Sequence, residues 1–251
     1  MNELSQLPLA FWIVAPLAVL FAYTVFGMSG FGSTIISIPI LANWLPLTYL
    51  VPLMALADLA AAVFVGGANR RHVSLPELKR VMPFMVVGIV LGVTVLVSVP
   101  QPPLKVAAAL FSIVVGLHAI LDPSPRSTIS TWWCVPAGVF AGIFAAVFGA
   151  GGPVNAAYLA GRLRDKSAIR STVSVIISIS ATLRTLSYAL AGLVLKAGIA
   201  KGILLVAPFA LAGIALGSRI HIGLTQAQMR RVVGGVIMGS GVVLMARTLL
   251  A

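Results

Sequence analysis

Acidic residues are almost missing from this chain. Five Asp and Glu occur among 251 residues, and charged residues of both signs make up 9%. A water-soluble domain of ordinary composition carries about a quarter, so most of this molecule's surface does not face water. Cysteine is represented by Cys134 alone, which excludes an internal disulfide and reads as a small packing residue. No Cys/His grouping has the spacing of a metal site, and no metal or other cofactor is expected. Long polar stretches are also lacking, which leaves no room for a separate soluble domain. The N-terminus has no basic segment ahead of its first apolar run, and that run is long for a cleaved signal, so it reads as a retained helix.

Apolar residues dominate instead, at 60% of the chain. They fall into the stretches 8–28, 33–44, 46–68, 81–99, 104–121, 131–149, 153–161, 168–195, 202–220 and 232–250. A spanning helix needs about 20 such residues, so 33–44 and 153–161 are too short to cross comfortably. Each follows a glycine-rich break. The predicted class is an all-α polytopic membrane protein in a lipid bilayer. Trp132 and Trp133 open one of the apolar stretches, as an interfacial aromatic belt requires.

The net charge of +12 raises the question of a nucleic-acid partner, and the positions of the charges answer it. Eleven of the 17 basic residues lie in three short clusters: Arg70, Arg71, Lys79 and Arg80; Arg162, Arg164, Lys166 and Arg170; Arg219, Arg230 and Arg231. Short basic loops between apolar segments are what the positive-inside rule produces. No basic face free of membrane remains, so no nucleic-acid partner is expected.

The chain also repeats itself. Pro83-Phe84 followed by Gly88 and Gly92 recurs as Pro208-Phe209 followed by Gly213 and Gly217, at an offset of 125 residues. Upstream, residues 26–30 match residues 148–152 at an offset of 122. This divides one membrane domain into a first repeat, 1–125, and a second, 126–251. With all three basic clusters on the cytoplasmic side, equivalent helices of the two repeats cross in opposite directions. Each repeat then needs an odd number of crossings, which three transmembrane helices plus a glycine-broken, re-entrant pair would supply. Inverted repeats with broken helices near the midplane are a common transporter plan. Both termini would lie outside, as would Lys196 and Lys201. Gly88/Gly92, Gly138/Gly142, Gly213/Gly217 and Gly235/Gly239 read as close helix packing.

Three features can carry chemistry. The breaks are Gly27-Met28-Ser29-Gly30-Phe31-Gly32-Ser33 and Gly149-Ala150-Gly151-Gly152-Pro153. A helix restarting after each, with Gly32 or Ser33 as one N-cap and Pro153 in the first turn of the other, presents free N–H groups and partial positive charge to an anion. Arg184 lies deep in 168–195, where an arginine costs roughly 3 kcal/mol or more unless it faces a cavity or a partner. Its planar fork suits sulfonate, sulfite or carboxylate oxygens. Asp58, in 46–68, falls one residue from the repeat counterpart of Arg184, so the two belong at similar depth. They either pair directly, or Asp58 takes up a coupling proton while Arg184 holds the anion. Asn155, just past the second break, is a further donor or a local backbone partner. Candidate substrate-binding residues are thus Arg184, Ser29, Gly30, Gly32, Ser33, Gly151, Gly152 and Asn155, with Asp58 for coupling or ion pairing.

Gly27-Met28-Ser29-Gly30 also matches the G-x-S-G string of rhomboid-type intramembrane serine proteases, a short and unspecific signal. The available histidines, His118 and His221, lie near loops, and Gly151 replaces Ser29 in the second repeat.

The layout over residues 8–250, with its two glycine-rich breaks each followed by a short helix, resembles the TauE/SafE sulfite exporter family. The resemblance implies export of sulfur-containing anions, such as sulfite, sulfoacetate or taurine-derived products, across a prokaryotic plasma membrane. The expectation is therefore a secondary transporter, not an enzyme, working by alternating access. An uncoupled anion channel is the alternative. Oligomeric state is not legible.

Overall fold

The computed structural model describes residues 8–29, 32–65, 72–121, 129–195, 198–219 and 226–250. Arg70, Arg71, Lys196 and His221 from the sequence reading lie outside these. The described residues form ten α-helices and no strand: α1 (Leu9–Ser29), α2 (Ser33–Leu41), α3 (Leu47–Val65), α4 (Leu75–Ser98), α5 (Gln101–Leu121), α6 (Cys134–Phe148), α7 (Gly151–Arg162), α8 (Lys166–Leu190), α9 (Ile199–Arg219) and α10 (Gln226–Leu250). Helices alone satisfy every backbone group within one segment, which is what a bilayer interior demands.

Seven segments are long and apolar enough to cross a membrane: those of α1, α4, α5, α6 with its preceding turn, α8, α9 and α10. The expectation from the sequence is three spanning helices plus a broken pair per repeat. The first members of the broken pairs, α1 and α6, have spanning length; α3 is a 19-residue apolar helix, of which the described side chains give the run Leu47–Ala61. The short helices after the breaks, α2 and α7, have 9 and 12 residues.

Local chemistry sets the helix ends. Asp165 caps α8 by accepting from the backbone N–H groups of Ser167 (3.0 Å) and Ala168 (3.1 Å). That helix ends at Leu190, earlier than the apolar run to 195 suggests. Gly192 adopts φ 71°, its N–H reaches the carbonyl of Ala189, and the N–H of Leu193 reaches that of Tyr188. This is the left-handed glycine turn that closes a helix regardless of the hydropathy beyond it.

Packing follows a reciprocal pattern. The most extensive contacts join α4 to α6, α5 to α10 and α1 to α9. Replacing each helix by the one five places later in the chain, or earlier where that runs out, converts α1–α9 into α6–α4, α3–α9 into α8–α4, α1–α2 into α6–α7 and α2–α3 into α7–α8. It leaves α5–α10 and α3–α8 unchanged. The contact of α2 with α10 has no counterpart of similar extent between α7 and α5. Small residues make the close approaches. A Cβ on Gly88 would collide with the Val139 carbonyl and one on Gly217 with that of Thr24. Gly235 and Gly239 behave otherwise: no atom lies within 4 Å of a Cβ built on either, so they do not serve close packing within this chain. Their spacing marks a helix face, and that face points away from the bundle. Cys134 is buried, while Trp132 and Trp133 are exposed in a short 3-10 turn ahead of α6.

Candidate functional site

Both breaks occur, and their backbones differ. In the first, α1 ends at Ser29 and Gly32, at φ 104°, is the N-cap of α2. The side chain of Ser29, with Gly30, lies outside the described residues. In the second, Gly149 at φ 65° ends α6, and Ala150 alone separates it from the start of α7 at Gly151. Pro153 sits in the first turn of α7, where its missing N–H costs nothing.

The breaks converge on Asp58 and Arg184, which are 5% and 2% exposed. One carboxylate oxygen of Asp58 accepts from the hydroxyls of Tyr23 on α1 (2.9 Å) and Ser33 on α2 (2.7 Å). The other accepts from Thr34 and, at 3.4 Å, from the Arg184 guanidinium. A second Arg184 nitrogen donates to the Ala145 carbonyl in the last turn of α6 (2.8 Å), and its Nε has no partner. Tyr188, one turn further along α8, donates to the neighbouring Ala146 carbonyl (2.7 Å).

Each charge therefore lies at the favourable end of a broken helix. The carboxylate sits at the N-terminal turn of α2, where partial positive charge gathers, and the guanidinium at the C-terminal carbonyls of α6. Full burial of two ions is expensive unless geometry and further hydrogen bonds offset desolvation. Here three hydroxyls and one carbonyl provide those bonds. The ion pair itself is longer than the 2.7–2.9 Å of a well-formed charge-assisted bond.

A cavity of about 30 Å³ adjoins the pair. A water requires about 10–15 Å³ on the same measure, so about two or three fit, and a sulfonate head does not without movement. Its walls include Gly32, Ser33, Asp58, Gly151, Gly152, Asn155 and Arg184, so the described candidates share one site. Asn155 is 1% exposed. Its amide N–H₂ donates back to the Gly151 carbonyl (3.1 Å), while its side-chain oxygen is unpaired. The free atom is an acceptor, which suits a water or a hydroxyl-bearing ligand better than a bare anion. Ser33 is likewise committed to Asp58. Along α8 the cavity wall continues to Ser180 and Ile177, and Arg170 beyond them donates to the Met28 carbonyl at the end of α1 (2.9 Å). His118 is exposed on α5 and does not line the cavity.

Sequence reasoning passed over Tyr23, Thr34 and Tyr188 as site residues. The tyrosines carried a usable signal, because a phenol buried in an apolar helix must find a partner. It also missed a second buried acid. Glu77, near the start of α4, accepts from Tyr158 (2.6 Å), from Arg162 (3.0 and 3.2 Å) at the end of α7, and from Arg80 (2.8 Å). This network anchors the far end of the helix whose first turn lines the cavity.

The chain is similar to the "Probable inner membrane transporter protein TsaS" of Comamonas testosteroni, at 26% identity over 190 residues, 75% of this chain and 80% of that protein. No solved structure matches. The match to the sulfite exporter TauE/SafE family extends over residues 15–244, which takes in all ten helices in whole or part. A chain matched over that range, with seven helices of spanning character, is a membrane transporter and belongs to the sulfite exporter TauE/SafE family.

Proposed function

We propose that the protein is a secondary carrier that exports small sulfur-containing anions, sulfite or organosulfonates such as sulfoacetate, across a prokaryotic inner membrane. The observation that carries this reading is Arg184: a guanidinium 2% exposed, on a cavity wall, with a long ion pair and an unpaired Nε. The Nε and the loosely held end are donors that two oxygens of a sulfite or sulfonate group can recruit side by side. Gly151 and Gly152, in the first turn of α7, add backbone N–H groups at a helix N-terminus.

In the proposed cycle the anion competes with Asp58 for Arg184. A proton on Asp58 neutralises the competitor, so anion and proton bind together. The reciprocal contacts of the helices support two inverted repeats, 1–125 and 126–251, with the site between them. Re-entry of α2 and α7 into the membrane, and both termini outside, complete the proposed topology. The small cavity supports alternating access over an open pore, since an anion enters only when one repeat moves against the other.

The test is counterflow in proteoliposomes. Preloaded sulfite or sulfoacetate should accelerate uptake of the labelled anion, with saturation, and Arg184→Ala should abolish both uptake and binding. Unsaturable flux without counterflow would mean a channel, and full-strength binding by the Arg184 variant would refute the site. Asp58→Asn should remove the dependence of flux on the proton gradient; unchanged dependence would refute the coupling role.

A further inference from the structure

A second cavity, of about 430 Å³, lies between α1, α3 and α9. Its walls are apolar, with Phe11, Val19, Leu53 and Phe209 among them. Trp12, Tyr49 and Lys201 also contribute, and each lies within the first turn of its helix. The three helices therefore begin at one end of the cavity, and an aromatic and cationic ring of the kind found at membrane interfaces surrounds its mouth. Tyr49 is already satisfied by the Gly198 carbonyl (3.0 Å). Lys201 is exposed, and the acids of the described residues, Asp58, Glu77 and Asp165, are engaged elsewhere.

The position of Lys201 is unusual in this chain. Arg219 lies at the opposite end of the same helix, about 27 Å away at 1.5 Å per residue, with the basic clusters. Lys201 thus stands on the face that the positive-inside rule leaves poor in cations. The cavity runs eight residue steps along α9, from Lys201 to Phe209, and eight along α1, from Phe11 to Val19. Eight steps span about 12 Å, close to the depth of one leaflet's hydrocarbon, about 15 Å. Nothing polar lines the cavity's depth to hold a charged head. The occupant it fits is apolar along its length and anionic at one end.

We propose that this cavity is a binding site for an anionic phospholipid, with one acyl chain between α1, α3 and α9 and the phosphate at Lys201. The deepest walls, Val19 and Leu53, lie about one helical turn from Tyr23 and Asp58, so the bound chain backs the helices that carry the ion pair.

Trp12 reports on the site directly. In a protein whose other tryptophans, Trp44, Trp132 and Trp133, are replaced by Phe, quenching by lipids brominated on the acyl chain measures occupancy in reconstituted vesicles. Brominated phosphatidylglycerol should quench Trp12 at a lower mole fraction than brominated phosphatidylcholine, by about fivefold, the preference one basic residue near a membrane surface confers. Lys201→Gln should make the two lipids equal. Val206→Phe, which fills the cavity, should weaken quenching by both. Equal quenching in the parent, or a preference that survives Lys201→Gln, overturns the proposal. Relief of quenching by millimolar benzenesulfonate also overturns it, because the occupant would then be a small organic anion. The measurement involves no flux, and Arg184→Ala should leave the lipid preference unchanged, so its outcome is separate from that of the transport reading.

Discussion

Neutralising Asp58 and Arg184 one at a time and then together tests whether they act as one unit. Removing one member of a buried pair strands the other charge and costs about 3–5 kcal/mol. The two single changes should not be equal. Arg184→Gln leaves Asp58 with the hydroxyls of Tyr23, Ser33 and Thr34, which places it near 3 kcal/mol. Asp58→Asn leaves Arg184 with one carbonyl and an unpaired Nε, which places it near 5 kcal/mol. The double variant buries no net charge and should cost about 1–2 kcal/mol, the scale of imperfect neutral hydrogen bonds. The coupling between the sites is then several kcal/mol, far outside the ~0.5 kcal/mol expected of independent positions.

Thermal unfolding of the detergent-purified protein reads the difference. At about 2–4 °C per kcal/mol for a chain of this size, Asp58→Asn should lower the midpoint by about 10–20 °C, and adding Arg184→Gln should restore most of that loss. Additive losses would refute the pairing. The same samples test competition. Sulfite should raise the midpoint of Asp58→Asn more than that of the parent, because Arg184 is no longer shared, and should not raise that of Arg184→Gln. Equal protection of all three would remove the anion from Arg184.

Gly149→Ala should abolish transport, because the residue is held at φ 65° and a Cβ there strikes the Thr34 methyl, displacing a donor to Asp58. Gly192→Ala is the control: its φ is 71° but the space around it is open, so it should lose only the ~1–2 kcal/mol of left-handed strain and keep its flux. Equal flux in the two variants would show that the contact with Thr34 does not matter. Glu77→Gln should cost about 3 kcal/mol by stranding Arg162, whereas Arg80→Gln, on a side chain 44% exposed, should stay within about 0.5 kcal/mol. Matched melting curves for those two would contradict the assignment of Arg162 as the main partner.

How much of this was legible in the sequence depended on the kind of information involved. Asp58 and Arg184 could be matched in depth because the repeat offset of 125 is a counting argument, and counting survives folding. Their direct contact could not be read, since equal depth does not fix orientation around a helix axis. The end of α8 was misplaced because hydropathy runs on through Leu193, Val194 and Leu195, while Gly192 ends the helix by backbone conformation. Gly235 and Gly239 were misread for a related reason. Four-residue spacing puts two glycines on one face, and only the fold decides what lies opposite.

One substitution in the repeat is part of the difference between the two breaks. Where the first half has Tyr23 on α1, the counterpart at an offset of 122 is Ala145 on α6. Tyr23 reaches Asp58 through its hydroxyl, whereas Ala145, without a polar side chain, presents its carbonyl to Arg184. One position thus serves an anion in one half and a cation in the other. The same division extends to the helices after the breaks. The first turn of α2 is occupied by the Asp58 carboxylate, an internal anion held by Ser33 and Thr34. The first turn of α7 opens with two glycines and a proline, residues that bring no side-chain donor to an internal charge. On the proposed reading this asymmetry assigns the substrate to the second half: α2 binds the protein's own anion, and α7 with Arg184 binds the transported one. Two equally occupied helix ends would leave no place for substrate. Two equally open ends would leave Arg184 without a counterion between transport events.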